Sequence, residues 1–469
     1  MNDRGGFPRS VALLVAAAMF MEILDGTIIV TALPAIARDL GVDALDANVT
    51  VAAYLITVAM VIPVSGWLAE RFTVRRVFLA AIAVFLVASV LCALSTSLPM
   101  LVGARIIQGM GGALMVPVGR LAVLRAVDRS RLMAAIAWLT WPALVAPVLA
   151  PLLGGLIVTY LSWEWIFLVN VPLALLGFVI AWRVMPTEDA PARHRPVDGW
   201  GIATVVLAVA AGMVALDSIR VGGVHWEVFV PAAVLCIVVT AIAVRHLRTT
   251  AHPLVNPKVL RITTFRSVVV YGSCYRAVIT GVPFLLPLMF QLRFDWSPVK
   301  AGALVAVLFL GNVTIKPVTT PLMRAIGIKR LLITVPLASI VVMGAIAVVS
   351  PGTPVWVIAA LLWLSGALRS TGFTAFHTLA FADVDAAQLT DANTIHACAQ
   401  ELFAGIGVAC AVVATAGGAV LVSHGWIPFV ASDFGGAFIL LTVLMVATVY
   451  GAVRLPPDAG RHVTAAAAR

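Results

Sequence analysis

Long apolar runs are the feature that most restricts this chain. Fourteen stretches of about 20 residues each are separated by short charged or Pro/Gly-rich joints. They cover approximately 11–33, 48–69, 77–97, 99–123, 134–158, 163–183, 199–218, 226–245, 267–291, 299–322, 331–350, 354–376, 396–421 and 432–453. A helix needs about 20 apolar residues to cross a hydrocarbon core of roughly 30 Å. The chain is 62% hydrophobic and only 11% charged, with a mean hydropathy of +1.07. Soluble domains run at about 45–50% apolar and about 25% charged, so the solvent expected here is lipid. A β-barrel would show short alternating segments, and none is evident. The chain therefore reads as an all-α membrane protein with 14 transmembrane helices.

The net charge of +10 would suggest a nucleic-acid partner in a soluble protein, but here it reports topology. With both termini placed in the cytoplasm, 22 of the 31 basic residues fall in cytoplasmic segments. Four fall outside, namely Arg38, Arg220, Arg293 and Lys300, and five fall within spans, namely Arg105, Arg120, Arg276, Lys316 and Arg369. That bias sets the expected orientation in a bacterial cytoplasmic membrane. The first apolar run carries Glu22 and Asp25, which a cleavable signal core would not tolerate. The five cysteines sit in apolar runs without metal-like spacing and read as small core residues.

An internal repeat divides the chain. Residues 70–79 (ERFTVRRVFL) align with 324–333 (RAIGIKRLLI), pairing Thr73 with Gly327 and Arg75–Arg76 with Lys329–Arg330. The offset of 254 residues exceeds the roughly 200 that six helices take, and leaves room for two extra spans. The expected organisation is a six-helix bundle over 1–195, two inserted helices over 196–250, and a second six-helix bundle over 251–469.

Several motifs now bear on function. The first span reads LDGTIIVTALP from Leu24. A carboxylate such as Asp25 at mid-bilayer is expensive and usually functional. Glu22 lies three residues earlier on the same helix face, which suits two acids handling a proton together. The loop GWLAERFTVRR runs from Gly66 to Arg76, and the fourth span contains RIIQGMGGA from Arg105. Counted from the outer ends of their spans at 1.5 Å per residue, Asp25 and Arg105 lie at nearly the same level. Arg105, Gln108 and Gly112 share one stripe. The fifth span contains APVLAPLLGG, in which Pro147 and Pro151 favour a kink and Gly154 and Gly155 permit close packing. It is followed by SWEWIFLVNVP.

These motifs resemble those of the major facilitator superfamily, specifically its 14-spanner drug:proton antiporter branch (EmrB/QacA-type), and the likeness covers nearly the whole chain. The first-helix segment is similar to the signature in which the aspartate couples protons. The 66–76 loop resembles G-x-L-A-D-R-x-G-R-K, with Glu70 for the aspartate, Arg71 and Arg75 at basic positions, and Thr73–Val74 departing from Gly-Arg. The resemblance implies a cytoplasmic latch there, made by Gly66, Glu70, Arg71 and Arg75. Arg105 and Gln108 match R-x-x-Q-G, and the fifth span is similar to the antiporter signature G-P-x-x-G-P-x-x-G-G, with Ala146 and Ala150 replacing glycines. The fold implied is two six-helix bundles plus two inserted helices.

In the second half the deep charges are Arg276, Lys316, Arg369 and Glu401, with Asn312 one turn before Lys316. Without the inserted helices they fall on helices 7, 8, 10 and 11 of a twelve-helix core, which by resemblance line the central cavity. With Gln108, these are the expected substrate-contacting residues. Proton coupling is expected at Asp25, Glu22 and Arg105.

The function expected is proton-coupled export of small molecules or drugs by alternating access, as a monomer without a cofactor. No G-x-x-x-x-G-K-[ST] loop for ATP is present, and no metal motif; His377 and His396 read as polar residues near the cytoplasmic end. A symporter or metabolite exporter on the same fold is the alternative, and a non-transporting membrane sensor a remote one.

Overall fold

The computed structural model describes residues 9–42, 47, 49–127, 131–186, 196–220, 223–424, 426 and 432–460. The described residues are almost entirely helical. We label the principal helices α1 (Arg9–Leu40), α2 (Val49–Phe72), α3 (Val74–Ala93), α4 (Leu98–Ala126), α5 (Leu132–Tyr160), α6 (Trp165–Val184), α7 (Gly199–Asp217) and α8 (Trp226–Thr249). They continue as α9 (Thr263–Arg293), α10 (Pro298–Thr314 and Lys316–Ile326), α11 (Ile328–Ala347), α12 (Val355–Ala382), α13 (Leu389–Ser423) and α14 (Asp433–Val453). Twelve helices among the described residues are long and apolar enough to cross a membrane, and α10 makes thirteen if its two arms count as one span. α5 is a further apolar helix of 29 residues. A two-stranded hairpin, Ile219–Arg220 paired antiparallel with Gly223–Val224, joins α7 to α8.

Helix starts follow capping chemistry. The Asp198 carboxylate accepts from Gly201 N–H at the head of α7, and the Ser432 hydroxyl from Gly435 N–H at the head of α14. Ser297 caps α10, with Pro298 at the first helical position, where its missing N–H costs nothing. The expected tenth span is not a single straight helix. Its two arms meet at 52° around Ile315, so Asn312 and Lys316 stand on opposite sides of a bend.

Packing groups the helices. α1, α2, α3, α4, α5 and α6 contact one another, and so do α9 to α14. The α7–α8 pair rests on α2 and α13 chiefly through α7. Contacts between the two groups run through α2 and α4 on α13, and through α5 on α10 and α12. Counting eight helices on, α2 corresponds to α10 and α5 to α13, so the α2–α13 and α5–α10 contacts are counterparts.

The outer surface is apolar. Trp226, Ile237, Val341 and Trp356 are each more than 60% exposed, and α8 buries very little of itself. Contiguous apolar surface of that kind demands an apolar solvent. The polar and charged side chains Asp25, Arg105, Gln108, Asn170, Asn312, Lys316 and Arg369 point the other way and are buried.

The repeat is visible in the backbone. Thr73 has φ 76° and ψ 147°, and Gly327 has φ 87° and ψ 148°. Each starts a helix by accepting from the N–H four residues on, Val77 and Leu331 respectively. Arg75 donates to the carbonyl of Trp182 near the end of α6, and Lys329 donates to the carbonyl of Leu455 just past α14. These pairs differ by the same 254 positions on the basic side, and by one six-helix group on the carbonyl side.

Candidate functional site

α1 carries Asp25 into the interior of the first group, where side chains from two other helices converge on it. Arg105 of α4 places Nη1 2.6 Å from Asp25 Oδ2. Gln108, one turn further along α4, donates from Nε2 to Asp25 Oδ1 at 2.9 Å and to the Ser89 hydroxyl at 2.9 Å. Asn170 of α6 donates to the same Asp25 Oδ1 at 2.7 Å. Arg105 also donates to Gln108 Oε1 at 2.6 Å and through Nε to the Thr50 carbonyl at 3.4 Å. Its guanidinium lies over the Tyr54 ring at 4.1 Å and within 5.7 Å of the Phe167 centroid. Asp25 is 1% exposed and Arg105, Gln108 and Asn170 are fully buried. A buried pair survives desolvation only when most of the remaining donors and acceptors are satisfied. This network satisfies both Asp25 oxygens and leaves Arg105 Nη2 and Asn170 Oδ1 without partners among the described residues.

The sequence reading is altered at two points. Gln108, grouped with substrate contacts, instead holds Asp25, because its position one turn from Arg105 aims both side chains at α1. Asn170 carries no expected role within the SWEWIFLVNVP segment, yet its amide is one of the three groups on Asp25. The signal was its polarity alone among the apolar residues of Trp165–Val184.

Glu22 occupies a different environment. It lines a cavity of about 40 Å³ together with Gly112, Arg120, Gln400 and Glu401, where α1, α2, α4 and α13 meet. Space of that size suits water rather than a drug. The Tyr54 hydroxyl donates to Glu22 Oε1 at 3.4 Å, while the ring of the same residue carries Arg105. Tyr54 therefore touches both acid environments. Gly112 makes this possible: a Cβ there would stand 2.8 Å from the Tyr54 oxygen.

The motif residues near the α2–α3 loop sort into two kinds. Gly66 sits where α2 meets α13, and a Cβ on it would come within 2.3 Å of Thr394 Oγ1. Arg125 donates to Thr390 Oγ1 at 3.0 Å, and Asn393 donates to the Pro117 carbonyl at 2.9 Å. These contacts join the two groups at this end. Arg75, by contrast, binds the end of α6 within its own group. Glu70 is buried, and Arg71 is exposed. Part of the expected latch is thus internal bracing, and the bridging residues Arg125, Thr390, Asn393 and Thr394 carried no motif.

α5 packs along α1. A Cβ at Gly154 would fall 2.0 Å from Thr31 Oγ1 and 3.2 Å from the Ile28 carbonyl, so only glycine fits. Gly155 corrects the sequence reading: it is exposed, with nothing within 4 Å of its Cβ position, because the next residue on a helix turns about 100° away. Pro147 is half-buried, and the helix continues through it and Pro151, whose side chain lies outside the described residues.

In the second group, Lys316 donates to Thr374 Oγ1 at 2.7 Å, and Arg276 lies 5.6 Å from the Phe373 ring centroid. Arg369 is buried, and Glu401 faces the cavity that holds Glu22. His377 and His396 are buried against each other, 3.4 Å between ring nitrogens. Among the described residues there is no group of three or more side chains able to hold a metal.

A bundle of helices long and apolar enough to cross a membrane, with buried charges at its centre, is the architecture of a membrane transporter. The chain belongs to the Major Facilitator Superfamily, whose family model matches residues 15–408. It is similar to proteins provisionally named multidrug resistance protein MdtD. That of Citrobacter koseri is 36% identical over 85% of this chain and 84% of the relative, and that of Pectobacterium atrosepticum 31% identical over 97% of each. Among solved structures it resembles the human organic anion transporter MFSD10 (TM-score 0.66, 14% identity, 95% of this chain and 100% of that one). It also resembles the proton:xylose symporter XylE (TM-score 0.67, 14% identity, 98% of each chain). At that identity these two comparisons concern fold alone.

Proposed function

We propose that this transporter exports small molecules, drugs among them, across the bacterial cytoplasmic membrane in exchange for protons. The observation that carries the coupling is the buried Asp25–Arg105 pair, 2.6 Å apart inside a membrane bundle. Protonating Asp25 removes the charge that holds Arg105, and Arg105 is then free to reorganise against Tyr54 and Gln108. Tyr54 relays that change to Glu22 at the cavity, so proton binding and cavity charge are linked. The antiporter-like α5 segment and the MdtD relatives support export over uptake.

The organisation we propose is fourteen spans, with α5 completing the count, both termini cytoplasmic. Two six-helix bundles over 1–195 and 251–469 flank the inserted pair over 196–250, and the chain works as a monomer. The 22-to-4 distribution of loop basic residues supports the orientation. The matched conformations of Thr73 and Gly327 support the two bundles. The α2–α13 contact at Gly66 and the α4–α13 contact at Arg125 then close the cytoplasmic side. The test is substrate-dependent proton movement in proteoliposomes of the purified chain. Substrate flux indifferent to an imposed pH gradient removes the antiporter reading.

A further inference from the structure

We propose that Arg369, together with Arg276, forms a binding site for an anionic group, a carboxylate or sulfonate, on the exported compound. This rests on the export reading above and adds the substrate's charge to it.

Arg369 is the centre of the argument. It is 8% exposed, and its Nε and Nη1 have no hydrogen-bond partner. Among the described residues no carboxylate lies at ion-pair distance from it. A guanidinium offers five N–H donors in a rigid fork and stays charged. Leaving such a group buried and incompletely paired costs several kcal/mol. A structural arginine would be expected to find a carbonyl or an acid, as Arg105 does. An orphaned fork in the middle of a transporter is instead a receptor for something that arrives.

The surroundings fit an anion. Arg276 of α9 is within Coulombic reach of Arg369, and its own Nε has no partner. The Ser370 hydroxyl, next to Arg369, is buried without a partner. Phe373, one turn from Arg369, offers an apolar face beside the Arg276 guanidinium for the body of an organic anion. Glu401 and Glu22 act on Arg276 from the neighbouring cavity, but neither acts on Arg369, whose charge is left unbalanced. Desolvated positive charge repels a cation and attracts an anion, and Arg with a carboxylate or sulfonate makes two parallel hydrogen bonds.

The matched probes are 2-naphthalenesulfonate and trimethyl(2-naphthyl)ammonium, which share one ring system and differ in the sign of the charge. Calorimetric titration of the purified full chain should show the sulfonate binding at least about tenfold more tightly. Arg369→Gln should weaken the sulfonate by about tenfold or more and leave the ammonium compound within about twofold. Equal or tighter binding of the ammonium compound by the wild type overturns the proposal, as does undiminished sulfonate binding by Arg369→Gln. Should Arg369→Gln not yield a monodisperse protein, Arg276→Gln takes its place, with the same expected loss and the same overturning result. Proton movement in proteoliposomes separates the two readings. Selective sulfonate binding without proton movement sinks the antiporter and spares the anion site. Proton movement driven by the ammonium compound, with no sulfonate binding, does the reverse.

Discussion

Thr73 and Gly327 share one backbone conformation, φ 76° with ψ 147° and φ 87° with ψ 148°, although only one of them is glycine. That region of conformational space is essentially reserved for glycine, and a β-branched residue in it is strained by about 1–3 kcal/mol. Thr73 recovers part of this by accepting from Arg76 N–H, a long bond at 3.4 Å. Replacing a threonine cap by glycine costs only a few tenths of a kcal/mol. Thr73→Gly is therefore expected to stabilise the protein by about 1 kcal/mol, seen as a raised Tm in detergent. A lowered Tm would show that the side chain matters more than the strain. Gly327→Thr should move Tm the other way.

Asp25→Asn is expected to abolish substrate-dependent proton release. The asparagine oxygen can still accept from Gln108 and Asn170, but its amide cannot balance Arg105. Removing one partner of a buried pair costs about 3–5 kcal/mol, so thermal stability should be measured beside transport. Retained proton release from Asp25→Asn would take this residue out of the coupling. Glu22→Gln should preserve most of the rate and displace its pH optimum, since Glu22 makes no hydrogen bond to Asp25 or Arg105 and is joined to them by Tyr54.

Gly66→Ala should hinder closure of the cytoplasmic side, because the new Cβ would meet Thr394 Oγ1 at 2.3 Å. Distance labels across α2 and α13 should report a shift toward the separated state. Adding Thr394→Ala removes the obstructing oxygen and should restore part of the closed population. Independent, additive effects of the two substitutions would mean that this contact does not set closure.

Asp198 ties α7 and α8 to the segment that follows them. Its carboxylate accepts from His246 Nε2 at 2.7 Å, Gly201 N–H at 2.8 Å and Leu254 N–H at 2.9 Å. Partial burial pushes its pKa up, but the hydrogen bond from His246 and those from Gly201 and Leu254 outweigh that and hold it below the ordinary value. A depressed carboxyl stabilises the fold above its ordinary range and loses that contribution as pH falls through the lowered value. Asp198→Ala should lower Tm at about pH 7, and the gap from wild type should close toward about pH 3. A gap independent of pH would assign the effect to lost capping geometry rather than to charge.

Much was determined by the sequence alone. Apolar runs of bilayer length require helices in lipid, whatever their neighbours. The 254-residue repeat paired Thr73 with Gly327 before any dihedral was known. Counting 1.5 Å per residue placed Asp25 and Arg105 at one depth, because depth along a straight helix depends on sequence position alone. Azimuth and neighbours were decided by tertiary structure. Whether Glu22 and Asp25 share an environment, whether Gln108 serves Asp25 or the cavity, and whether Gly155 packs like Gly154 depend on which helix stands opposite. The bend at Ile315 likewise separates Asn312 from Lys316, which a straight helix would keep on one face. The contacts of Arg125 with Thr390 and of Asn393 with Pro117 span more than 260 positions. No local pattern encodes such pairs, since they arise from the docking of two helical groups and not from the propensities of either.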